Sequence, residues 1–266
     1  MKVKNLLLSR VIFALFIATA FLTAQAEAES LGDPFDGDQF QNPNWKWSKE
    51  PKQWDVGKTE AGWLHMTGET NHNLWTNDDP SRVYQEHTGD FDVENPLLMD
   101  YEPSSVVAGL VALSPTTKDH NGRDGEWGTI KLWGRGAAQG SNAVIQYQKR
   151  EFDNGEGLVA TVPNFQEPAG EMDLYLRLRR EKDTFTAWWK PEKNDAWIEI
   201  GVTDQKFDEP LQVGVYAGVA DGAGEMVAQY EYFEDLIEPF AVSPRAKLPL
   251  TWGALKQRAG VIRQNE

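Results

Sequence analysis

Two tryptophans lie on either side of a lysine in the segment EWGTIKLWGRG, residues 126–136. Because side chains alternate along a β-strand, a strand here puts Trp127, Lys131 and Trp133 on one face and Ile130 on the other. A strand that is buried on one side needs only one large apolar face. The face with the tryptophans is therefore expected either to pack beneath another part of the chain or to contact a ligand.

Aromatic rings with amide and charged side chains between them are suited to sugars. A sugar ring presents its C–H groups to an aromatic ring, and its hydroxyl groups bond to amides and charged groups. Similar outward-pointing side chains occur on other predicted strands, and Tyr175 accompanies Arg177 in LYLRL. As a platform, Trp127 and Trp133 are expected to be partly exposed; the alternative is a second, minor core of aromatic residues beneath loops. The candidate ligand-binding residues are Asn73, Trp75, Tyr84, Glu86, Trp127, Lys131, Trp133, Gln146, Gln148 and Arg177.

Acidic residues near the two ends of the predicted fold could bind a metal. Asp33, Asp36 and Asp38 lie in GDPFDGDQF, and Asp235 lies in the segment YFEDLIE. Ca²⁺ binds roughly six to eight oxygen atoms, so these four residues are candidate ligands of a structural Ca²⁺ if the terminal strands pair. Asp and Gly also favour turns, which accounts for the same residues without a metal. No other cofactor is predicted.

The N-terminus has the pattern of a secretory signal peptide. Three basic residues among the first ten precede the uncharged run VIFALFIATAFL, and TAQAEA then places alanines at the spacing of a cleavage site. The apolar run is too short to span a bilayer as a helix. We expect cleavage after Ala26 or Ala28, so that residues 1–28 are removed and the mature chain is secreted or periplasmic, without a membrane segment.

The charge of the chain excludes two classes of partner. The formal net charge is −15, and loss of three basic residues and one acidic residue with the leader changes it to −17. Such a surface repels phosphate backbones and anionic lipids, so nucleic acids and anionic membranes are not expected to bind. The chain has no cysteine and cannot form disulfides, so its stability must come from a sizeable hydrophobic core.

Short runs of alternating apolar and polar residues, separated by Gly, Pro, Asn and Asp, extend from Leu31 to Pro239. No amphipathic helix of three turns is visible, so the sequence predicts an all-β fold with about eleven strands in two sheets. Alternation in DLYLRLRR directs its leucines toward the core, and LQVGVYAGV predicts a further core stripe. The predicted organisation is a signal peptide at 1–28, a single β-sandwich domain at 29–239 and a basic tail at 240–266.

Seven segments carry a resemblance to a known superfamily: DPFDG, NPNWKW, GWLHMTG, YQEHTGDFDV, WWKPEKNDAWIEIG, LQVGVYAGV and YEYFED. In that order, over about residues 31–237, the sequence resembles the concanavalin A-like lectin/glucanase jelly roll. Within it, the sequence is most similar to secreted bacterial domains related to the C-terminal module of β-xylosidases, many of which have no assigned function. The resemblance implies a two-sheet antiparallel sandwich with Phe35 and Phe233 on adjacent terminal strands, and a concave outer face that often binds a glycan.

The segment EFDNGE fits the Glu-x-Asp-x-x-Glu spacing of the glucanase branch of this superfamily, in which carboxylates on one strand act as nucleophile and general acid. Glu151, Asp153 and Glu156 occupy those positions. Retention of configuration requires the two reacting carboxyl groups to lie about 5 to 5.5 Å apart. Asn154 and Gly155 instead form a strong hairpin signal, which would turn the chain and carry Glu156 away from the face of Glu151. We interpret the trio as a decoy and assign no catalytic residue.

Together these patterns favour a secreted β-sandwich that binds carbohydrate, a polysaccharide or glycan, on its concave sheet without transforming it. One alternative is a glycoside hydrolase of the glucanase-like jelly-roll type, which requires two facing carboxylates in the cleft. The other is an adhesion or scaffold module whose exposed aromatic residues contact protein, which requires a flat apolar surface. Fold similarity alone does not separate the three.

Overall fold

The computed structural model of the protein describes residues 30–70, 73–75, 80–102, 104–118, 124–151, 155–221 and 226–239. Within these ranges the chain forms seventeen β-strands and one short 3-10 helix at Ala137–Gln139. None of the helical residues described belongs to a segment long and apolar enough to cross a membrane. The predicted signal peptide at 1–28 and tail at 240–266 lie outside the described residues.

The strands are mostly short and follow one another closely along the chain. In order they are β1 (Lys46–Lys49), β2 (Trp54–Val56), β3 (Leu64–Thr67), β4 (Glu69–Thr70), β5 (Ser81–His87), β6 (Phe91–Tyr101), β7 (Ser105–Lys118), β8 (Asp124–Gly134), β9 (Asn142–Glu151), β10 (Gly155–Thr161), β11 (Glu167–Pro168), β12 (Gly170–Glu181), β13 (Thr184–Lys190), β14 (Ile198–Asp204), β15 (Leu211–Asp221), β16 (Met226–Tyr230) and β17 (Glu234–Asp235).

Two sheets pack face to face. The larger sheet has the order β1-β5-β15-β7-β8-β9-β10, with β11 beside β9 and β4 beside β15. The smaller sheet has the order β14-β13-β12-β6-β16-β3-β2, with β17 beside β6. Neighbouring strands are antiparallel except β4 and β15, which pair in parallel at two positions. The prediction of an all-β, two-sheet antiparallel jelly-roll sandwich is confirmed.

The main core lies between the two sheets. Leu174, Leu176 and Leu178 of β12 are buried there, as the alternation in the sequence predicts. Full burial of one such side chain contributes about 1.5–3 kcal/mol to stability. From the larger sheet, the predicted stripe of β15 faces them through Leu211, Val213, Val215, Ala217 and Val219.

The two ends of the described domain meet at one antiparallel bridge. Asp33 N–H donates to Phe233 O at 2.7 Å, and Phe233 N–H donates to Asp33 O at 2.8 Å. Phe35 and Phe233 are fully buried, and the ring of Trp45 lies between them at centroid distances of 6.0 and 5.3 Å. The predicted adjacency of the terminal segments is confirmed, and it closes the sandwich without a cross-link.

Candidate functional site

The tryptophans of EWGTIKLWGRG lie on the outer face of the larger sheet, the surface that points away from the main core. Ile130 and Leu132 of β8 are buried in the core, so the alternating residues Trp127, Lys131 and Trp133 point outward. This part of the prediction is confirmed, and it identifies the outer face as the candidate site.

Lys131 belongs to a row of five paired residues that runs across the strands of the larger sheet, and we call it the central row. Lys131 of β8 lies opposite Gln146 of β9 on one side and Gly109 of β7 on the other. Gly109 pairs with Tyr216 of β15, which pairs with Arg82 of β5. The central row therefore contains two basic side chains, one amide and one phenol, separated by a glycine.

Gly109 holds β7 and β8 close together beneath the site. A Cβ at this position would collide with the carbonyl oxygen of Ile130 and would approach Lys131 Cα to 2.7 Å. Any side chain here would therefore displace the strand that carries Lys131.

A second hydrophobic cluster, separate from the main core, covers part of the outer face. Trp127 is 0% exposed there. The expectation that Trp127 is partly exposed is therefore wrong, and for this residue the alternative of a second, minor core is correct. Alternation sets the face of Trp127, but the segment that covers it comes from a distant part of the chain. The cluster consists of Leu74, Val107, Val111, Leu113, Trp127 and Tyr216.

Trp133 behaves differently from Trp127. It is only half-buried and packs at the margin of the second cluster. Its indole N–H donates to Ser105 Oγ at 3.1 Å, and the Arg135 guanidinium lies 5.9 Å from its ring centroid. Trp133 is thus the tryptophan of the pair with aromatic surface left to contact a ligand.

Polar groups on β8 and β9 have hydrogen-bonding capacity that the described part of the chain does not use. Gln148 Nε2 donates to Gln146 Oε1 at 3.1 Å, while Gln148 Oε1 and Trp127 Nε1 are buried without a hydrogen-bond partner. Lys131 is 7% exposed and makes no hydrogen bond or ion pair with a described residue. Burial lowers the pKa of its ammonium from 10.5 to about 7. These groups lie on adjacent positions of two paired strands.

Arg150 lies at one end of the polar groups on β8 and β9, which we call the polar strip. It is fully buried, and its guanidinium lies 5.5 Å from the ring centroid of Trp127. Its Nε and Nη2 atoms donate to the Gly125 carbonyl at 2.9 and 2.7 Å, and Glu156 approaches Nη1 at 4.0 Å. The sequence reasoning did not select Arg150, although its outward position beside Gln148 follows from the same alternation.

Strand β5 brings two further predicted residues to the far side of the outer face. Tyr84 is half-buried, and the Arg82 guanidinium lies 5.5 Å from its ring centroid. Glu86 is half-exposed and pairs with Lys46 at 3.0 Å. Beside this ion pair lies a cleft of about 370 Å³, lined by Leu31, Asn44, Lys46, Gln85, Glu86, His87 and Thr88.

The segment Asn73–Trp75 lies over the second cluster, to which it contributes Leu74. Asn73 is buried, and its Oδ1 accepts a hydrogen bond from the backbone N–H of Trp75 at 2.6 Å. Trp75 is 39% exposed. Of the predicted binding residues, Asn73 thus shapes the local backbone, whereas Trp75 is partly exposed to solvent.

Arg177 does not belong to this site, and neither does Tyr175. Both lie on β12 and point outward from the smaller sheet, on the opposite side of the sandwich. Arg177 donates from Nε and Nη2 to Asp92 at 2.7 and 2.5 Å, and these bonds raise the pKa of its guanidinium. Its guanidinium also lies 4.8 Å from the Trp188 ring. Including Arg177 was wrong because alternation gives the face of a strand but not the sheet that contains it.

The two ends of the decoy motif lie on the paired strands β9 and β10. Gly155 lies opposite Glu151 at the start of the antiparallel β9–β10 hairpin, with a φ of +67°. Glu151 pairs with Lys149, which also donates to Thr203 of the facing sheet at 2.9 Å. Glu156 instead approaches Arg150 on the outer face. The two glutamates therefore diverge, as predicted; Asp153 lies outside the described residues.

Asp33, the first candidate metal ligand, is already bonded by the protein. Its carboxylate accepts hydrogen bonds from the backbone N–H groups of Phe35 and Asn42, both at 2.9 Å, and from the Trp45 indole at 3.0 Å. Burial raises the pKa of this carboxyl group despite these bonds. Asp33 therefore organises the turn that precedes the terminal bridge.

Asp235 has a similar role at the other end of the domain. Its oxygens accept from the backbone N–H groups of Leu31, Ile237 and Glu238 at 3.1, 3.0 and 3.2 Å. Asp36 and Asp38 are exposed. Within the described ranges no three acidic or histidine side chains converge on a point where they could hold a metal ion. The predicted four-aspartate site for Ca²⁺ is not formed, because turn and terminal hydrogen bonds use the buried carboxylates.

Comparison with known proteins identifies relatives by fold alone. No protein-family model and no curated protein matches the sequence. The xyloglucan PUL GH43B of Bacteroides ovatus is similar in structure with a TM-score of 0.58 and 17% identity, over 80% of this chain and 40% of that chain. A xylan β-1,4-xylosidase from Bacillus halodurans C-125 is similar with a TM-score of 0.56 and 20% identity, over 78% of this chain and 39% of that chain.

A functionally unknown protein from Saccharomyces cerevisiae gives a TM-score of 0.50 at 16% identity, over 74% of this chain and 98% of that chain. The present chain thus matches 39–40% of the two bacterial proteins but nearly all of the yeast protein. At these identities the similarity establishes the β-sandwich fold, and the chemistry must be argued from the outer face.

Proposed function

We propose that the protein binds carbohydrate on the outer face of its larger sheet and releases it unchanged. The observation that carries the proposal is the polar strip on β8 and β9. Lys131 and Gln148 are buried there with unused hydrogen-bonding capacity. Buried polar groups without partners are costly, so a strip of them on adjacent strands is best explained by a polar ligand.

The surroundings of this strip favour a sugar over other polar ligands. Trp133 offers half-buried aromatic surface at one end of β8, and Trp75 offers exposed surface above the second cluster. Aromatic surface binds the C–H face of a sugar ring while amides bind its hydroxyl groups. The structural relatives support a polysaccharide, since their names refer to xylan and xyloglucan. A mature chain that is exported, as the leader predicts, would meet such polymers outside the cytoplasm.

The positions of the carboxylates on the outer face favour binding over hydrolysis. Glycoside hydrolases need two carboxyl groups about 5 to 5.5 Å apart for retention, or about 6.5 to 9.5 Å apart for inversion. Glu86 and Glu156 lie on β5 and β10, which are five strand positions apart in the larger sheet. At about 4.8 Å per strand, their backbones are roughly 24 Å apart along the sheet. This pair cannot act on one glycosidic bond.

A glycan array of the mature chain, followed by calorimetry with the strongest hits, tests the proposal. Trp133→Ala should weaken binding by about 5- to 150-fold, since truncation of an aromatic anchor costs about 1–3 kcal/mol. The matched control is Trp188→Ala, because Trp188 is also half-buried but lies on the smaller sheet. Its glycan affinity should equal that of the wild type.

Three results would contradict the proposal in different ways. Failure to bind any glycan would remove the carbohydrate function, and capture of a protein in its place would favour an adhesion or scaffold role. Shortening of a bound polysaccharide would show that the protein is an enzyme. Equal losses in the two tryptophan variants would place the binding site elsewhere.

A further inference from the structure

We propose that the glycan bound on the outer face carries a carboxylate and that Lys131 Nζ pairs with it. The inference rests on the carbohydrate-binding function proposed above and specifies its substrate class as acidic sugars. Its basis is that Lys131 is a buried cation that has no counter-charge among the residues that the structure describes.

The isolation of Lys131 is unusual for a lysine at the centre of a sheet. Buried ammonium groups are normally paired or bonded, because transfer of an unpaired charge from water costs several kcal/mol. Its neighbours in the central row are Gly109, which has no side chain, and Gln146, which is neutral. A ligand that brings a negative charge to Nζ would remove this cost on binding.

Two arginines lie on the same outer face at a distance from Lys131. Arg82 lies three strands away in the central row, and Arg150 pairs with Trp127, four residues along β8 from Lys131. Glu156 approaches Arg150 at 4.0 Å, from β10. The formal net charge of the chain is −15, so a buried lysine without an acidic partner among the described residues is a local feature rather than a consequence of composition.

The groups beside Lys131 fit a carboxylate on a sugar ring. Gln146 Nε2 donates no hydrogen bond to another described residue, so it can donate to a carboxylate or hydroxyl oxygen. One free ammonium matches one carboxylate, whereas a phosphate polymer carries a dense charge that the acidic surface repels. A uronic acid combines the single charge with ring hydroxyls and a C–H face.

Matched pairs of sugars separate this inference from the proposed function. Binding is measured by calorimetry for oligosaccharides of glucuronic, galacturonic and mannuronic acid, each beside its neutral counterpart of glucose, galactose or mannose. At pH 7, the wild-type protein should bind at least one acidic oligosaccharide about tenfold or more tightly than its neutral partner. The members of each pair differ only at C6, so the ratio reports recognition of the carboxylate.

Two lysine variants identify the residue responsible. Lys131→Met keeps the length of the side chain and removes its charge, so it should abolish the acidic preference and bring the ratio of acidic to neutral affinity close to 1. Lys58→Met is the matched control, because Lys58 is exposed in the turn between β2 and β3 of the smaller sheet. That variant should keep the wild-type ratio. Far-UV circular dichroism verifies that both variants are folded.

Each failure has a separate meaning. Equal affinity of the wild type for acidic and neutral sugars would overturn the inference and leave the carbohydrate function standing. An acidic preference that survives Lys131→Met would overturn it too, by assigning recognition to another group. Absence of binding to every sugar would overturn both the inference and the proposed function.

Proton uptake provides a second measurement that needs no variant to fold. Burial holds the pKa of Lys131 at about 7 in the free protein, and a bound carboxylate would raise it. At pH 8.5, binding of a uronic acid should therefore take up close to one proton, seen as calorimetric enthalpies that depend on the ionisation heat of the buffer. Affinity should fall several-fold between pH 7 and 8.5.

Other ionisable side chains on the outer face bear on how this pH dependence is interpreted. Among them are Arg82 of β5, Tyr216 of β15, Arg150 of β9 and Glu156 of β10. Burial raises the pKa of Tyr216, which remains protonated over the measured range. A proton uptake near zero, with pH-independent affinity, would contradict pairing at Lys131.

Discussion

Replacing Lys131 by methionine should stabilise the free protein and remove part of the pH dependence of its stability. The side chain is 7% exposed and lacks a partner among the described residues, so its charge is destabilising in the folded state. Methionine has nearly the same length, which keeps the packing beside Gly109 and Gln146. The wild-type protein should therefore be less stable than Lys131→Met at pH 7, and the difference should shrink at higher pH.

The size of the effect follows from the two pKa values of Lys131. Burial lowers its pKa from 10.5 to about 7, so between these values the unfolded chain binds more protons at this residue than the folded protein does. Stability then rises with pH, by at most about 1.4 kcal/mol per pH unit. Between pH 7 and pH 9 the wild type should gain about 2 kcal/mol from this residue, and Lys131→Met should gain nothing from it.

Urea unfolding at pH 7, 8 and 9, followed by intrinsic tryptophan fluorescence, measures this difference. Comparison with the variant at each pH cancels the titration of all other groups. Burial raises the pKa of tyrosines such as Tyr230, so their ionisation lowers the stability of the protein only at more alkaline pH, outside this window. Lys58→Met again serves as the control, because Lys58 is exposed. Equal slopes of stability against pH in the wild type and Lys131→Met would refute a desolvated, unpaired lysine.

Three further predictions test other parts of the structure. Trp127→Ala should lower the free energy of unfolding by about 3–5 kcal/mol, because Trp127 is fully buried; a loss below about 1 kcal/mol in urea unfolding would contradict the second cluster. Asp33→Ala should lower the free energy of unfolding by about 2 kcal/mol or more, because it leaves buried N–H groups unpaired. The control Asp36→Ala, at an exposed position, should lower it by no more than about 0.5 kcal/mol. Equal melting temperatures of the two variants would contradict the role of Asp33. Glu151→Gln combined with Asp153→Asn should leave glycan affinity unchanged in calorimetry, and a hydrolytic activity that disappears in this variant would contradict the interpretation of EFDNGE as a turn.

The fold could be predicted from the sequence because its strands alternate cleanly. The leucines of β12 point inward, and β9 and β10 pair as the antiparallel hairpin that EFDNGE predicts. Shorter strands were missed, including β1, β2 and β11, because two to four residues carry too little periodicity. The pairing of β12 with β6 places Arg177 on the smaller sheet, and local alternation contains no information on that pairing.

The site was only partly predictable for a related reason. Alternation placed Trp127 and Lys131 on the outer face, but exposure depends on residues far away in the sequence, such as Leu74 over Trp127. The sequence also does not show that Lys131 lacks a counter-charge among the described residues, because that is a property of the assembled sheet. The aspartates failed as metal ligands because their partners are backbone N–H groups, which every sequence contains.

The acidic surface and the basic site together limit what kind of acidic glycan fits the proposal. A net charge of −15 repels a densely charged polymer as it approaches, and this repulsion is screened beyond about 8 to 10 Å at ordinary salt concentrations. The attraction at Lys131 is buried and is screened much less. Added salt should therefore weaken the repulsion more than the attraction. A ligand with few carboxylates, or with a single acidic residue, is repelled least and still pairs with Lys131. A mixed glycan of neutral and uronic sugars therefore suits this face better than a homopolymer of uronic acids.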